Sequence, residues 1–216
     1  MIEAVAGRTV LIAGASSAAG RATATALTEA GARVIAVGSN ADRLQSVSAE
    51  AHYVCNLADF AAVQHLAETV HSDLGAIDGL VHLVGGWRGG GGLAGQTDED
   101  YAFLHEHVVT TLRNTTRAFN ADLLASPVGR LAIVSSVSVD RPTPGGANYA
   151  AVKASAETWT RAVAYGFAKA GSEAAAVIFV VKALEGLEAE LGARVIGLWD
   201  SAAADVNNTR IPLSTD

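Results

Sequence analysis

The stretch "TVLIAGASSAAGRATATALTEAGARVIAVG", residues 9–38, decides the fold, because it places two short apolar runs on either side of a helical pattern. The runs at 9–14 and 33–38 are almost continuously hydrophobic, which is typical of strands that are buried on both faces. The alanine-rich residues 18–30 between them have the composition of an amphipathic helix. A connection of this kind is right-handed and joins parallel strands, so the stretch predicts a βαβ unit.

The same alternation continues along the chain. Further strands are predicted at 52–56, 79–85, 130–136 and 174–181, and further helices at 40–50, 59–74, 98–125 and 146–170. No internal repeat or linker interrupts the pattern, and 216 residues favour one domain over two. The sequence therefore predicts an α/β fold with a doubly wound parallel sheet, forming a single domain over residues 1–216.

Composition limits the classes of binding partner and the cellular compartment that we expect. A net charge of -7 without a basic cluster argues against nucleic acid and anionic membranes, so a small molecule is the expected partner. No apolar run approaches the roughly 18 residues that a membrane helix needs, and the first residues lack the basic region of a signal peptide. Cys55 is the only cysteine, which excludes an internal disulfide and favours a reducing cytoplasm.

A glycine-containing turn follows the first strand. Gly14 and Gly20 lie six residues apart where the strand passes into the helix, and amide groups at a helix start bind phosphate. Ser16, Ser17 and Ala19 lie inside this turn and are candidates for the same site. Since Ala18 occupies the middle glycine position of the dinucleotide fingerprint, the turn alone is equally compatible with an ordinary βα turn.

The end of the second strand bears on cofactor preference. The residues there carry no carboxylate to bind the adenosine ribose of NAD. Ser39 and Asn40 as neutral donors, with Arg43 as a cation, would instead accommodate a 2′-phosphate, so we expect NADP(H) in preference to NAD(H). Alternatively, Ser39 and Asn40 only cap the next helix, and both interpretations are compatible.

The stretch 136–153 carries the candidate catalytic groups. Ser136 ends the fifth strand, and Tyr149 and Lys153 are four residues apart, which places the phenol and the ammonium on one helical face. The alternative is that Tyr149 is a half-buried helix tyrosine and Lys153 a solvated neighbour.

These motifs resemble those of the short-chain dehydrogenase/reductase family over nearly the whole chain. Residues 14–20 correspond to the family motif TGxxxGxG, with Ala13 and Ala18 in place of its threonine and middle glycine. "HLVG" at 82–85 stands where the family has NNAG, and "NL" at 56–57 where it has an aspartate and an apolar residue beside the adenine. The resemblance thus adds to the predicted cofactor site Asn56, Leu57, Val84, Gly85 and Gly86.

The catalytic set follows the family pattern. Ser136 lies thirteen residues before Tyr149, which is the family spacing, and Tyr149-x-x-x-Lys153 is the family's catalytic pair. The resemblance implies an NAD(P)(H)-dependent oxidoreductase that transfers hydride between nicotinamide and a carbonyl/alcohol substrate. Tyr149 would be the general acid/base, Lys153 would lower its pKa and hold the ribose, and Ser136 would bind the substrate oxygen.

The resemblance also implies an architecture. It predicts a Rossmann-type sheet of about seven strands whose last strand lies at 209–214, preceded by a helix at about 184–199. Family members commonly form homodimers or homotetramers through the helices that correspond to about 98–125 and 146–170.

Two departures from the family pattern stand out. Val108 occupies the place of an asparagine that helps to relay protons in the family, so the relay must take another route or be slower. The nearby His105 and His107 are two residues apart and face different directions, which favours surface histidines over a metal pair, and no metal site is predicted. After the sixth strand, residues 181–183 replace a Pro-Gly motif, and the usual helical lid is missing or reduced to a few residues.

The glycine run at 85–92 is a candidate replacement for that lid. Gly85 and Gly86 would let the backbone pass close to the cofactor ribose, while Trp87 and Arg88 are the side chains of the run able to contact substrate. Ser138 is a further candidate substrate contact. Alternatively, the run is a disordered surface loop.

Two other functions are compatible with these residues. A cofactor-binding regulatory or catalytically impaired protein would explain Val108, the altered residues 82–84 and the absent lid. An isomerase or lyase on the same scaffold is less favoured, because the intact serine, tyrosine and lysine set is what hydride transfer uses.

Overall fold

A computed structural model describes residues 4–214 and contains a seven-stranded sheet in which all neighbouring strands are parallel. The outermost residues of the predicted domain, 1–3 and 215–216, lie outside the described part of the chain. The spatial order is β3-β2-β1-β4-β5-β6-β7. All the predicted strands are confirmed, with ends that shift by a few residues. Their bounds are β1 Thr9–Ala13, β2 Arg33–Gly38, β3 Ala51–Val54, β4 Gly79–His82, β5 Arg130–Ser136, β6 Ala175–Val181 and β7 Thr209–Pro212.

The helices that connect these strands lie on both faces of the sheet. They are α1 Ala18–Glu29, α2 Ala41–Leu44, α3 Phe60–Leu74, α4 Asp98–Leu104, α5 Thr111–Ala125, α6 Ala147–Ala170, α7 Glu188–Ile196 and α8 Ala203–Val206. The prediction for 40–50 was too long, since α2 comprises a single turn, and the helix predicted at 184–199 begins only at Glu188. The sequence analysis missed α8, which is too short to show a helical period.

Both faces of the sheet are buried. On β1, Leu11 packs with α3, α5 and α6 in one apolar cluster, while Val10 and Ile12 pack with α1 and α7 in a second cluster. Because successive side chains of a strand point to opposite faces, this double burial explains why the strands lack polar alternation. The fold is therefore the Rossmann-type layered arrangement that the sequence predicts.

The helix predicted at 98–125 is interrupted. Residues His105–Thr110 form a π-helical segment between α4 and α5. The hydroxyl of Thr111 donates to the carbonyl of His107 at 2.6 Å, and the ring Nδ1 of His107 lies 2.9 Å from the carbonyl oxygen of Phe103. Both side chains therefore bond to backbone carbonyls four residues earlier along the helix.

The strand order reverses between β1 and β4, and this reversal positions the site. β1 pairs with β2 on one side and with β4 on the other, so the connections leave their carboxyl ends in opposite directions. In doubly wound sheets the crevice at such a point is where ligands bind. Within residues 4–214, no helix combines the length and apolarity needed to span a bilayer.

Candidate active site

Two adjoining cavities open at the carboxyl edge of the sheet. The larger has a volume of about 530 Å³ and the smaller about 130 Å³, and Val84 lines both. The larger volume is within the range of small-molecule sites, roughly 300–1,000 Å³. Its wall combines the start of α1, the end of β4, and side chains of α6, among them Tyr149 and Lys153.

The glycine turn is tightly closed. Gly14 has φ +84°, and a Cβ there would lie 2.9 Å from the backbone of Leu83 and Val84. A Cβ on Gly20 would lie 2.5 Å from the carbonyl oxygen of Gly14. Ser17 caps α1, because its hydroxyl accepts from the Gly20 amide at 3.0 Å and donates to the Gly14 carbonyl at 2.9 Å.

This turn fits a phosphate group. Ser17 and Ala19 line the larger cavity, so the start of α1 faces it. The partial positive charge of a helix start and its amide groups favour an anion there. Gly20 lies behind this surface and serves the close approach of the backbone rather than contact with a ligand.

The smaller cavity gathers most of the residues predicted for the adenosine half of a cofactor. Its wall includes Gly14, Ser16, Ser39, Asn56 and Leu57. The sequence analysis missed other wall residues, namely Gly38, Cys55, Ala58, Glu106, His107 and Thr111. His107 is half-buried, and besides lining this cavity its ring stacks on Phe103 at 4.1 Å.

The helix-cap interpretation of Asn40 is confirmed. Its side-chain oxygen accepts from the amide of Arg43 at 2.9 Å at the start of α2. Ser39 lines the smaller cavity, whereas Asn40 and Arg43 lie outside its wall and are solvent-exposed. Of the three residues predicted for a 2′-phosphate, only Ser39 thus faces the cavity directly.

Ser136, Tyr149 and Lys153 come together beside the larger cavity. Ser136 is buried at the end of β5, and Tyr149 and Lys153 lie in the first two turns of α6. The Lys153 ammonium donates to the Val134 carbonyl at 2.8 Å and lies 5.8 Å from the centre of the Tyr149 ring. Only 8% of Lys153 is exposed, so the alternative of a solvated surface lysine was wrong.

The electrostatics differ from the expected pattern. Burial raises the pKa of the Tyr149 phenol, and an interaction with Ser136 acts in the opposite direction. Burial lowers the pKa of Lys153 to about 8, against the opposing charge of Glu157. The predicted lowering of the tyrosine pKa is thus reversed, because desolvation of the phenol outweighs the stabilisation of its anion.

His82 is a further buried group at this site. Burial, and then the charge of Lys153, lower the pKa of His82 to about 3. Its Nε2 lies 3.1 Å from the Thr111 hydroxyl, so the neutral ring has a partner in α5. The altered "HLVG" motif was the sequence signal for this residue, although the motif gave no reason to assign it a place in the site.

The glycine run packs against the segment that precedes Tyr149. The Gly90 amide donates to the Gly145 carbonyl at 2.9 Å, and the Gln96 side-chain amide donates to the same carbonyl at 3.1 Å. The Gln96 side-chain oxygen accepts from the amide of Asn148 at 3.0 Å. The disordered-loop alternative does not agree with these contacts, which tie the run to the first turn of α6.

Replacing Gln96 with alanine should lower both stability and turnover. Gly146, which precedes α6, offers no side-chain cap, and the Gln96 side chain accepts from the Asn148 amide instead. Loss of a helix cap costs about 1 kcal/mol. We expect a drop of that size in the urea-unfolding free energy and a fall in kcat with little change in cofactor affinity. The control is Gln64→Ala, which makes the same change at an exposed position of α3. Identical behaviour of the two variants would contradict the cap.

Of the three residues predicted to contact substrate, one lines the larger cavity and two do not. Trp87 lines the larger cavity. The Arg88 guanidinium lies 3.9 Å from the centre of the Phe103 ring and 3.6 Å from the carboxylate of Asp100, and Arg88 is not part of the cavity wall. Ser138 is half-buried and accepts a hydrogen bond from the Ser136 hydroxyl at 3.2 Å. The contact that the structure gives Ser138 is therefore with Ser136.

The connection after β6 is short. Only residues 182–187 separate β6 from α7. Lys182, Ala183, Leu184 and Glu185 all line the larger cavity, together with Glu188 at the start of α7. Val108, where an asparagine was expected, is 3% exposed within the apolar cluster and offers no polar group to the cavity.

Comparison with known proteins agrees with this architecture. The family model described as short chain dehydrogenase matches residues 8–183. An uncharacterized oxidoreductase of Mycobacterium tuberculosis is 30% identical over 173 residues, which cover 72% of this chain and 49% of that protein. The 3-oxoacyl-[acyl-carrier-protein] reductase FabG of Escherichia coli is 27% identical over 76% of this chain and 69% of its own.

The fold also matches solved structures. An NADPH-bound short chain oxidoreductase from Pseudomonas aeruginosa, described as containing an atypical catalytic center, superposes with a TM-score of 0.83. It is 21% identical, and the match covers 96% of this chain and 95% of that one. The chain spans about half the length of the mycobacterial relative. The family model, by contrast, matches most of the residues of this chain. The chain belongs to the short-chain dehydrogenase family of oxidoreductases.

Proposed function

We propose that this protein is an NAD(P)(H)-dependent oxidoreductase that interconverts a carbonyl compound and its alcohol. One observation carries the proposal: Tyr149 and Lys153 line the same cavity as the start of α1, and Ser136 acts on the Tyr149 phenol. A proton donor, a cation and a hydroxyl donor thus lie beside a place for a dinucleotide. The nicotinamide cofactor, when bound, supplies or accepts the hydride.

The protein's own residues would manage the substrate oxygen. Tyr149 donates its proton to that oxygen during reduction and removes it during oxidation. Ser136 donates a hydrogen bond to the same oxygen, where negative charge develops. Lys153 holds a positive charge close to the phenol and would hold the nicotinamide ribose.

The pH dependence of the two directions should differ because of the Tyr149 phenol. Burial raises its pKa above the ordinary value, so the phenol is protonated at neutral pH. Reduction needs the protonated form, and it should be insensitive to pH near neutrality on account of this group. Oxidation needs the phenolate, so its kcat should rise as the pH rises toward that pKa. Rate profiles in both directions check the sign.

The remaining assignments concern cofactor contacts. Ser17 and Ala19, with the Gly14 turn, would hold the pyrophosphate, and Ser16, Asn56 and Leu57 the adenosine. Gly85 and Gly86 line the larger cavity on the side where the nicotinamide ribose would lie. These are proposals from position in the two cavities and from the family pattern.

We further propose a preference for NADP(H), and Ser39→Asp tests it. A carboxylate in place of the exposed Ser39 hydroxyl would repel a 2′-phosphate and accept from a ribose hydroxyl. NADPH should bind about tenfold or more weakly, equivalent to about 1.4 kcal/mol, and NADH more tightly. Fluorescence titration with both cofactors measures this ratio, with Ser155→Asp on α6 as the control for added charge. Tighter NADH than NADPH binding by the unmodified protein would overturn the preference.

A panel of ketones and alcohols, followed by absorbance of the reduced cofactor, tests the activity itself. Turnover of any member supports the proposal. The relatives and neighbours include a reductase of 3-oxoacyl groups and an NADPH-bound oxidoreductase, so 3-oxo thioesters belong in the panel. Tight cofactor binding without turnover would favour the second candidate, a cofactor-binding regulatory or impaired protein, which the short connection at 182–187 makes worth testing.

We propose a homodimer or homotetramer through α4, α5 and α6, as in the family. Leu112, Phe119 and Phe167 of these helices are buried in the core of the chain itself and cannot form such an interface. The half-buried Trp159 lies at the surface between α5 and α6 and is the better candidate. Light scattering of Trp159→Ala against the unmodified protein tests this assignment.

A further inference from the structure

Glu157 is a buried carboxylate behind the active site that the proposed chemistry does not use. It lies on α6 four residues after Lys153 and is 1% exposed. A carboxylate that is removed from water costs several kcal/mol unless charges and hydrogen bonds compensate for its lost hydration. An apolar residue would fill this position at lower cost, so the carboxylate needs an explanation.

The partners of Glu157 come from two strands and from its own helix. The Ser135 hydroxyl on β5 donates to its Oε1 at 2.7 Å, and Arg161 on α6 donates to its Oε2 at 3.0 Å. Arg210 on β7 lies 3.1 Å from Oε2 and donates to Oε1 at 3.2 Å. Arg210 also forms two 3.0 Å hydrogen bonds with Asp140, in the turn after β5.

This network fixes the end of β5 against α6. Ser135 lies between Val134, whose carbonyl accepts from Lys153, and Ser136, whose hydroxyl interacts with Tyr149. A shift of Ser135 would therefore move both the Val134 carbonyl that accepts from Lys153 and the Ser136 hydroxyl proposed to bind substrate.

The charge of Glu157 also acts on Lys153. Burial lowers the pKa of the ammonium, and the carboxylate opposes that change. The other groups that face Lys153 are Tyr149 on its own helix and His82 on β4, and the low pKa of His82 leaves that ring neutral. Among these groups Glu157 supplies the negative charge that favours a buried ammonium.

We propose that Glu157 is a positioning residue, which holds the Ser135–Ser136 end of β5 in register with α6 and places a negative charge one helical turn from the Lys153 ammonium. Its catalytic consequence rests on the proposed function. The effect on Lys153 does not, because the ionisation of a lysine can be measured without turnover.

Glu157→Gln tests the charge, since it keeps the size and the hydrogen-bonding oxygen. The chain has three lysines, Lys153, Lys169 and Lys182, so NMR of ¹³C-labelled lysine side chains follows each one through a pH titration. Removing the carboxylate disfavours the ammonium, so the Lys153 midpoint should move to lower pH by about one unit or more. Lys169 and Lys182 should not change.

Glu190→Gln is the matched control, because it removes a carboxylate that also pairs with an arginine four residues later, on α7. It should leave the Lys153 midpoint in place. An unmoved midpoint in Glu157→Gln would overturn the electrostatic half of the proposal. Should that variant fail to fold, Arg161→Gln removes a half-exposed cation instead, and the midpoint should then rise; an unmoved or lowered midpoint would count equally against it.

Ser135→Ala tests the positional half, because it removes the donor to Glu157 and keeps the charge. The Lys153 midpoint should stay while kcat falls several-fold and KM changes little. In Glu157→Gln the high-pH limb of kcat/KM should move to lower pH together with the midpoint. Full activity of Ser135→Ala would overturn the positional half, whereas inactivity of the unmodified protein would count against the proposed function and leave the NMR result standing.

Discussion

Replacing Tyr149 with phenylalanine should reduce carbonyl turnover by about 10²–10⁴-fold, the range that a positioned acid/base group contributes. The variant keeps the ring that packs against the apolar core and removes only the hydroxyl. Fold and cofactor affinity should therefore be unchanged, and kcat should carry the loss. Stopped-flow absorbance and NADPH titration measure the two quantities separately.

Tyr165→Phe is the matched control for that result. Tyr165 lies on the same helix, α6, with 72% of its surface exposed, so it shares the substitution but not the site. Its kinetics should equal those of the unmodified protein. If Tyr149→Phe retained full activity, the acid/base role would be wrong and another donor would have to be sought.

The central strands of the sheet could be predicted from the sequence because they are buried on both faces, unlike the edge strands β3 and β7. Leu11 enters one apolar cluster and Val10 the other, which leaves a continuous hydrophobic run that few other structures produce. The helix at 98–125 was only partly predicted, because a π-helical segment at His105–Thr110 interrupts it. Nothing in the apolar period of that segment signals such a break.

The residues of the candidate site also fall into those that could be predicted from the sequence and those that could not. Tyr149 and Lys153 could be predicted, since their spacing of four fixes them on one helical face. His82, His107 and Glu157 could not, because their burial and partners arise from the packing of separate elements. The reversed shift of the Tyr149 pKa belongs to this second group, since desolvation depends on neighbours that are distant in sequence.

The glycine run illustrates how tertiary contacts change an interpretation. The composition of the run was compatible with a flexible loop or with a lid, and its length did not distinguish these two interpretations. Gly90 and Gln96 both bond to Gly145, so the run supports the turn that leads into the helix of Tyr149. Residues 182–185 of the short connection line the same cavity as the start of the run.

Gly20→Ala should disrupt the phosphate turn and the fold together. The new methyl would lie 2.5 Å from the Gly14 carbonyl oxygen and 2.6 Å from that of Ala15, and both are backbone atoms that can only move with the turn. Overpacking of this kind costs about 1–3 kcal/mol. We therefore expect a lower urea-unfolding free energy and a clear loss of NADPH affinity, since the displaced amides are those that would hold the pyrophosphate.

Gly166→Ala makes the same change where the structure leaves room. Gly166 lies inside α6, and a Cβ there would meet nothing within 4 Å. Alanine is favoured over glycine in a helix by about 1 kcal/mol, so this variant should be as stable as the unmodified protein or more stable, with unchanged NADPH affinity. The contrast isolates the turn, because the two substitutions have identical chemistry and opposite expected signs. If both variants bound NADPH alike, the start of α1 would not be the phosphate site, and the proposed cofactor orientation would have to be abandoned.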